Sequence, residues 1–344
     1  MNGEYEKPVR AGVIGAGYMG RHHLRILGSL PSAELVGLSD IDSVGGRELA
    51  LSLETRFFNS TRDLFEEVEC VVIAVPTELH FEFASSALYA GKDVLVEKPI
   101  SSTLVQAREL CDIAKETGSI FQVGHVERFN PACLELQRLV TNPFLISCER
   151  LSPYLASWVK DTGVILDLMI HDIDLTLSLV GKEVVRINAL SNCIKSEAED
   201  HAIAQLMFSD GTMANLVSSR ISQAKVRKIS ITQPDEFICA DLLKQTIAVH
   251  HFISSDYFYD SRMGYRQETV TEVPYLSRYG EPLKLEVEEF IDCVRTRENP
   301  LVDGEAGFKA LELALGIIDS AGLLKVNSSF IMNETGQITP SRIN

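Results

Sequence analysis

The stretch Val9-Arg10-Ala11-Gly12-Val13-Ile14-Gly15-Ala16-Gly17-Tyr18-Met19-Gly20 decides the fold. A short apolar strand runs into three glycines spaced GxGxxG, and a helix over residues 17–30 follows, closed by Pro31. Gly15 permits the tight turn, Gly17 lets a pyrophosphate approach the backbone, and Gly20 lets the helix pack against the strand. The helix start, with Tyr18 and Met19, offers free N–H groups and the positive end of the helix dipole. A glycine-rich turn that binds nothing is the alternative, and a lone motif would leave it open.

Strands and helices keep alternating outward from this stretch. Residues 34–39, 56–58, 70–75, 94–97 and 120–124 read as strands, and 43–53, 62–68, 81–90 and 103–117 as helices. The near-continuous apolar run at 70–75 is what a parallel strand buried on both faces requires. The alternation predicts a doubly wound parallel sheet. After residue 125 the rhythm changes. Residues 164–179 read as one helix, and 184–274 as successive short strands. Ser209-Asp210-Gly211-Thr212 is a tight-turn signal that pairs 202–208 with 213–219 as a hairpin. Helices at 284–296 and 305–324 close the pattern. The expected fold is α/β: a Rossmann domain over 1–124, and an α/β domain over 125–326 with a large, mostly antiparallel open sheet. A polar tail, 327–344, follows.

Composition narrows the function classes. The 344 residues carry 32 Lys and Arg against 48 Asp and Glu, a net charge of −16. Such a surface has no general attraction for nucleic acid or anionic lipid. No uncharged apolar run reaches the roughly 18 residues of a membrane span; the best stretch, 163–181, is broken by Asp167, Asp172 and Asp174. Seven scattered cysteines without a CxxC pair point to reduced, buried thiols. Residues 1–10 are polar and lack a signal-peptide core. The expected location is the cytoplasm.

Asp40 lies 20 residues after Gly20 at the end of a strand. A carboxylate there accepts hydrogen bonds from adenosine ribose hydroxyls and repels a 2′-phosphate, which favours NAD over NADP. Pro76, Thr77 and His80 follow the strand at 70–75 on the same carboxyl edge, where ligands bind in such sheets. They are expected near the nicotinamide, with a loop or helix-face role for His80 as the alternative.

Glu97-Lys98-Pro99 sits at the end of another strand, so Glu97 and Lys98 join the cofactor candidates. A lysine in a partly desolvated pocket donates to a substrate hydroxyl and stabilises alkoxide character; a surface pair with Glu97 is the alternative. Further on comes Asp161-x-Gly163-x3-Asp167-x3-His171-Asp172-x-Asp174. A spacing of four puts Asp167 and His171 on one helix face. A histidine there accepts a hydroxyl proton as hydride leaves carbon, while the aspartate orients the ring or holds the substrate. A satisfied core histidine is the alternative. No ligand cluster supports a metal.

Together these motifs resemble the glucose–fructose oxidoreductase/inositol dehydrogenase/MocA family, as does the closing Val302-Asp303-Gly304-Glu305-Ala306-Gly307-x3-Ala310-Leu311-Glu312. The resemblance spans residues 9–324. It implies catalytic roles for Lys98 and His171 with Asp167 beside them, and an open sheet that supports a homodimer or homotetramer. One departure is that Val164-Ile165 stand where many members have further glycines.

Gly124-His125-Val126-Glu127-Arg128-Phe129-Asn130-Pro131 resembles the segment of members that oxidise nucleotide sugars, UDP-N-acetylglucosamine 3-dehydrogenases among them. Arg128 suits a phosphate or sugar hydroxyl, and Asn130 a hydroxyl or acetamido group. Arg150, Tyr154, Trp158 and Lys160 are further candidates for a uridine diphosphate pocket. A domain hinge with an internal salt bridge is the alternative for this segment. The expected reaction is NAD-dependent oxidation at C3 of UDP-N-acetylglucosamine or a related nucleotide sugar. The rivals are a dehydrogenase of free sugars or inositols and a non-catalytic nicotinamide-binding regulator.

Overall fold

The computed structural model describes residues 7–154, 162–259 and 262–322, with side chains left out at 255–259 and 262–267. The first sheet forms from β1 (Val9–Ile14), α1 (Tyr18–Leu27), β2 (Ala33–Ser39), α2 (Ser43–Ser52), β3 (Arg56–Phe57), α3 (Thr61–Glu67), β4 (Cys70–Ile73), α4 (His80–Tyr89), β5 (Asp93–Glu97), α5 (Leu104–Thr117) and β6 (Phe121–Gly124). Its strands are all parallel in the order β3-β2-β1-β4-β5-β6. Every residue of β4 and β5 is buried, because helices cover both faces. The helices start where side chains cap them: Ser60 Oγ accepts from Arg62 N at 3.2 Å, and Thr103 Oγ1 from Gln106 N at 3.3 Å.

The chain then forms α6 (Pro131–Leu139), β7 (Leu145–Leu151), a π-helical turn (Ile165–Met169), α7 (Ile170–Val180), β8 (Val184–Asn192), β9 (His201–Phe208), β10 (Met213–Ser219), β11 (Val226–Gln233), β12 (Glu236–Asp241), β13 (Thr246–Tyr259), β14 (Arg262–Glu272), α8 (Pro282–Thr296) and α9 (Gly304–Ala321). Eight strands pair as β14-β13-β12-β11-β7-β10-β9-β8, antiparallel except for β7 with β10. The expected hairpin is β9–β10, with Met207 opposite Met213. Along β9 the burial alternates strictly. Its inward residues Ala202, Ala204 and Leu206 pack with Ile170 and Ile173 of α7 and Ala314 and Ile317 of α9.

Three features differ from the sequence reading. The expected single helix over 164–179 begins with the π turn, one residue wider per turn, a device found often at functional sites. The sequence reading assigns neither helix α6 nor the central strand β7. The expected boundary at residue 124 separates the sheets, but α8 packs its Leu283, Val287, Phe290 and Ile291 into the first sheet's core with Leu24 and Leu27. The polar tail, Trp158, Lys160 and Asp161 lie outside the described residues.

Candidate active site

The strand order reverses between β1 and β4, opening a crevice at the carboxyl ends of the strands. The loop after β1 shows what each glycine does. Gly15 has φ +92°, and a Cβ there would stand 2.5 Å from the Ala74 carbonyl oxygen. A Cβ at Gly20 would stand 1.9 Å from the Gly15 carbonyl oxygen, so α1 packs on its own loop only through a glycine. A Cβ at Gly17 meets nothing within 4 Å. Gly17 is the uncapped start of α1, and no acid occupies the first turn. This open cradle fits a pyrophosphate on the N–H groups of Tyr18, Met19 and Gly20.

Asp40 ends beside that loop. Its Oδ2 accepts from Ala16 N at 2.5 Å and its Oδ1 from Asp42 N at 2.7 Å. Arg47, the nearest basic side chain in sequence, donates to Asn59 at 2.6 Å and lies over the Phe57 ring. Pro76 and Thr77 start a 3₁₀ turn at the same edge.

His80 stands at the start of α4, in the helix-face position of the alternative reading. It is buried, with Nδ1 2.8 Å from the Pro99 carbonyl and Nε2 2.9 Å from the Val75 carbonyl. It ties the loops after β4 and β5 together. Burial lowers its pKa despite these two carbonyls. Glu97 is likewise buried. Its carboxylate accepts at 2.8 Å from His23, buried on α1. Burial raises the Glu97 pKa, but the hydrogen bond and charge of His23, with Lys98 and His80, together outweigh it and the net shift is downward.

Lys98 therefore does not pair with Glu97. Its Nζ donates to the Asp167 carbonyl at 2.7 Å and carboxylate at 3.1 Å, across the two sheets. The lysine side chain is 18% exposed and that of Asp167 52%. The i,i+4 spacing of Asp167 and His171 survives the π turn, but the aspartate goes to Lys98 and not to the imidazole. His171 Nδ1 is buried and has no partner among the described residues. Its ring meets that of buried His125 edge-on, centroids 6.4 Å apart. Burial, then the charges of Lys98 and Arg150, lower the His171 pKa well below the ordinary value, so it is a neutral base at pH 7. His125 had gone unread as a site residue, although its place directly after β6 on the ligand edge was a signal.

The remaining candidates are mountings. Arg150 is 1% exposed and donates to both Asp172 oxygens (2.9 and 2.6 Å) and to Glu127 (2.8 Å). Arg128, buried, donates to Asp174 and to the Leu301 carbonyl, each at 3.3 Å. Asn130 caps α6 through Ala132 N and donates to the Leu242 carbonyl at 3.0 Å. Arg128, Asn130 and Arg150 are thus corrected from pocket wall to domain junction: among the described residues, burial leaves their polar atoms to protein partners, except Arg128 Nε, which has none. Tyr154 donates to the Lys195 carbonyl, with the Lys195 ammonium over its ring. Gly163 has its own reason, because a Cβ there would stand 1.9 Å from the Glu199 carboxyl group.

Comparison with known proteins agrees with this layout. Residues 9–125 match the profile of an oxidoreductase family's NAD-binding Rossmann fold, and 149–322 that of its C-terminal alpha/beta domain. The chain is 33% identical to UDP-N-acetylglucosamine 3-dehydrogenase of Acidithiobacillus ferrooxidans, over 90% of this chain and 96% of that one. It is 26% identical to scyllo-inositol 2-dehydrogenase (NAD(+)) of Bacillus subtilis, over 92% and 94%. A solved structure of the Acidithiobacillus ferrooxidans enzyme superposes with a TM-score of 0.83 at 31% identity, covering 92% of this chain and 98% of that one. The chain belongs to the GFO/IDH/MocA oxidoreductase family and is an NAD(P)-dependent enzyme acting on CH–OH groups.

Proposed function

We propose that this enzyme is an NAD-dependent dehydrogenase that oxidises the C3 hydroxyl of UDP-N-acetylglucosamine or a related nucleotide sugar. The observation that carries the chemistry is the Lys98 ammonium, held by Asp167 beside a neutral His171 at the mouth of the Rossmann crevice. NAD⁺, when bound, supplies the hydride acceptor. His171 takes the hydroxyl proton as the C–H hydride leaves, so the products are a ketone, NADH and a protonated imidazole. Lys98 donates to the same oxygen as it gains alkoxide character. Asp40, held beside the loop, supports NAD over NADP, as does Arg47 being engaged elsewhere.

The nucleotide-sugar choice is supported by the UDP-N-acetylglucosamine 3-dehydrogenase that matches nearly end to end. Inositol dehydrogenases that also match favour a second reading, oxidation of a free polyol. NADH formation at 340 nm separates them, with NAD⁺, a panel of UDP-sugars and free polyols, and 2-oxoglutarate as a recycler. Turnover of UDP-N-acetylglucosamine supports the first reading; turnover confined to unphosphorylated polyols rejects it.

We place a second copy of the chain on the open face of the eight-stranded sheet. Leu190, Ile203, Met207 and Met213 are exposed there in register. Among the described residues no helix is long and apolar enough to cross a membrane, and five of the seven thiols are buried, which supports a reducing compartment such as the cytoplasm. Light scattering tests the assembly: Ile203→Asp is expected to yield monomers, and a wild-type monomer rejects it.

A further inference from the structure

Arg227 of β11 lies directly opposite Arg150 of β7 in the ladder, so two guanidiniums share one spot on the sheet. Arg150 takes the nearby carboxylates, gripping Asp172 with two nitrogens and Glu127 Oε1 with a third. Arg227 is left with that same Glu127 oxygen at 3.8 Å, too long for a hydrogen bond. Its side chain is 14% exposed, and its Nη1 is buried with no partner among the described residues. The guanidinium lies within electrostatic reach of the reacting groups, because Asp167 is among the charges acting on it and it is among those acting on His171. Burial, then the charge of Arg150, pull its pKa down to about 10, so it stays a cation at neutral pH.

A cation this buried and this poorly neutralised is costly unless something pairs with it. The other buried arginines have a carboxylate of their own: Arg128, Arg150 and Arg220 each hold an aspartate within 3.3 Å. A neutral polyol brings no charge to offset Arg227, whereas an anionic substrate does. We propose that Arg227 is the anion-receiving residue of the substrate site, binding a phosphate oxygen of the nucleotide diphosphate. This rests on the nucleotide-sugar reading above. A carboxylate on the sugar offers the same oxygen chemistry and is the other source to be told apart.

The test is Arg227→Gln, with Arg227→Lys retaining the charge, both required to bind NADH as the wild type does. Titration calorimetry of UDP onto the NADH-loaded enzyme and initial rates with UDP-N-acetylglucosamine are the readouts. For Arg227→Gln, loss of one charged hydrogen bond raises the UDP Kd and the sugar KM by about 10- to 100-fold, with a smaller change in kcat. Arg227→Lys restores part of the affinity. If UDP binding is unchanged but a preference for sugars bearing a carboxylate is lost, the anion is the carboxylate and the phosphate assignment is overturned. If the wild type oxidises UDP-N-acetylglucosamine and Arg227→Gln leaves both its KM and UDP binding unchanged, the role of Arg227 is rejected while the function stands. If the wild type neither binds UDP nor oxidises any nucleotide sugar, that functional reading fails. The anion role then survives only in oxidation of free sugar acids that Arg227→Gln impairs, and exclusive use of neutral polyols overturns it.

Discussion

Gly17→Ala separates a glycine kept for the ligand from one kept for the fold. Gly17 has φ −67° and ψ −160°, a conformation open to any residue. An added methyl touches nothing within 4 Å. Alanine gains about 0.4–1 kcal/mol from a stiffer unfolded chain and loses a similar amount as the poorer helix cap, so stability changes by less than about 1 kcal/mol. Cofactor binding behaves otherwise. The methyl occupies the open side of the cradle and lifts a pyrophosphate off the N–H groups of α1. Losing one charged hydrogen bond, worth about 1.5–3 kcal/mol, raises the NADH Kd by about 10- to 100-fold. Gly20→Ala is the control. Its methyl would stand 1.9 Å from the Gly15 carbonyl oxygen, which cannot give way without moving α1. Overpacking of that kind costs about 1–3 kcal/mol. NADH fluorescence titration and thermal melts read both variants. The reasoning is refuted if Gly17→Ala melts as early as Gly20→Ala, or binds NADH as the wild type does.

Other consequences follow from the charges around the crevice. Lys98→Met is expected to lower kcat/KM by about 10²–10³. Because the Lys98 charge helps burial hold the His171 pKa down, its removal moves the acid limb of the pH–rate profile to higher pH; an unmoved limb would disconnect the two residues. Arg150→Met strands Asp172 and Glu127 in the interior and should cost about 3–5 kcal/mol in urea unfolding, whereas a variant that melts like the wild type would mean water reaches those carboxylates. Arg128→Met should lower kcat and melting temperature together and leave substrate KM alone; a rise in KM instead would return Arg128 to the substrate. Glu286 is fully buried, and neither carboxyl oxygen has a partner among the described residues. Burial, then Glu97 and Glu289, raise its pKa well above the unfolded value, so its contribution to stability falls as pH climbs past about 4.3. Glu286→Gln should therefore gain on the wild type from pH 5 to pH 8 in urea midpoints, and a gain independent of pH would show that no proton is held there.

What the sequence made legible was local. The strand, the glycine turn and α1 are consecutive, so their burial and conformational demands are written within about twenty residues. The β9–β10 hairpin was equally plain, because Asp210-Gly211 supplies the turn and Gly211 takes φ +92°. The helix α6 also carried its signal, Asn130 as cap and Pro131 at the first position, but the segment was read as a substrate contact. Partnerships were another matter. Lys98 finds Asp167 69 residues away, and Glu97 finds His23 74 residues away. A charged side chain in sequence does not announce whether it will meet solvent, ligand or a carboxylate, so Arg128 and Arg150 looked like pocket residues.

Residues 167–174 show why those junction arginines matter to the chemistry without touching it. Asp167 reaches Lys98 at the end of β5, and His171 meets His125 at the exit from β6. Asp172 is fixed to Arg150 of β7, and Asp174 to Arg128 at the exit from β6. At about 100° per residue, Asp172 lies about 100° round the helix from His171 on one side and Asp174 about 60° on the other. The imidazole is thus flanked by two ion pairs anchored in different parts of the molecule. Rotation of α7 that would swing His171 off the substrate must strain one of them. Burial comes first in lowering the proton affinity of His171, and two of the cations that fix its neighbours, Lys98 and Arg150, lower it further. Lys98 and Arg150 thus serve both mounting and tuning. Conversion of Asp172 to a neutral residue would be felt twice, as lost rigidity of α7 and as a less compensated positive field on the base.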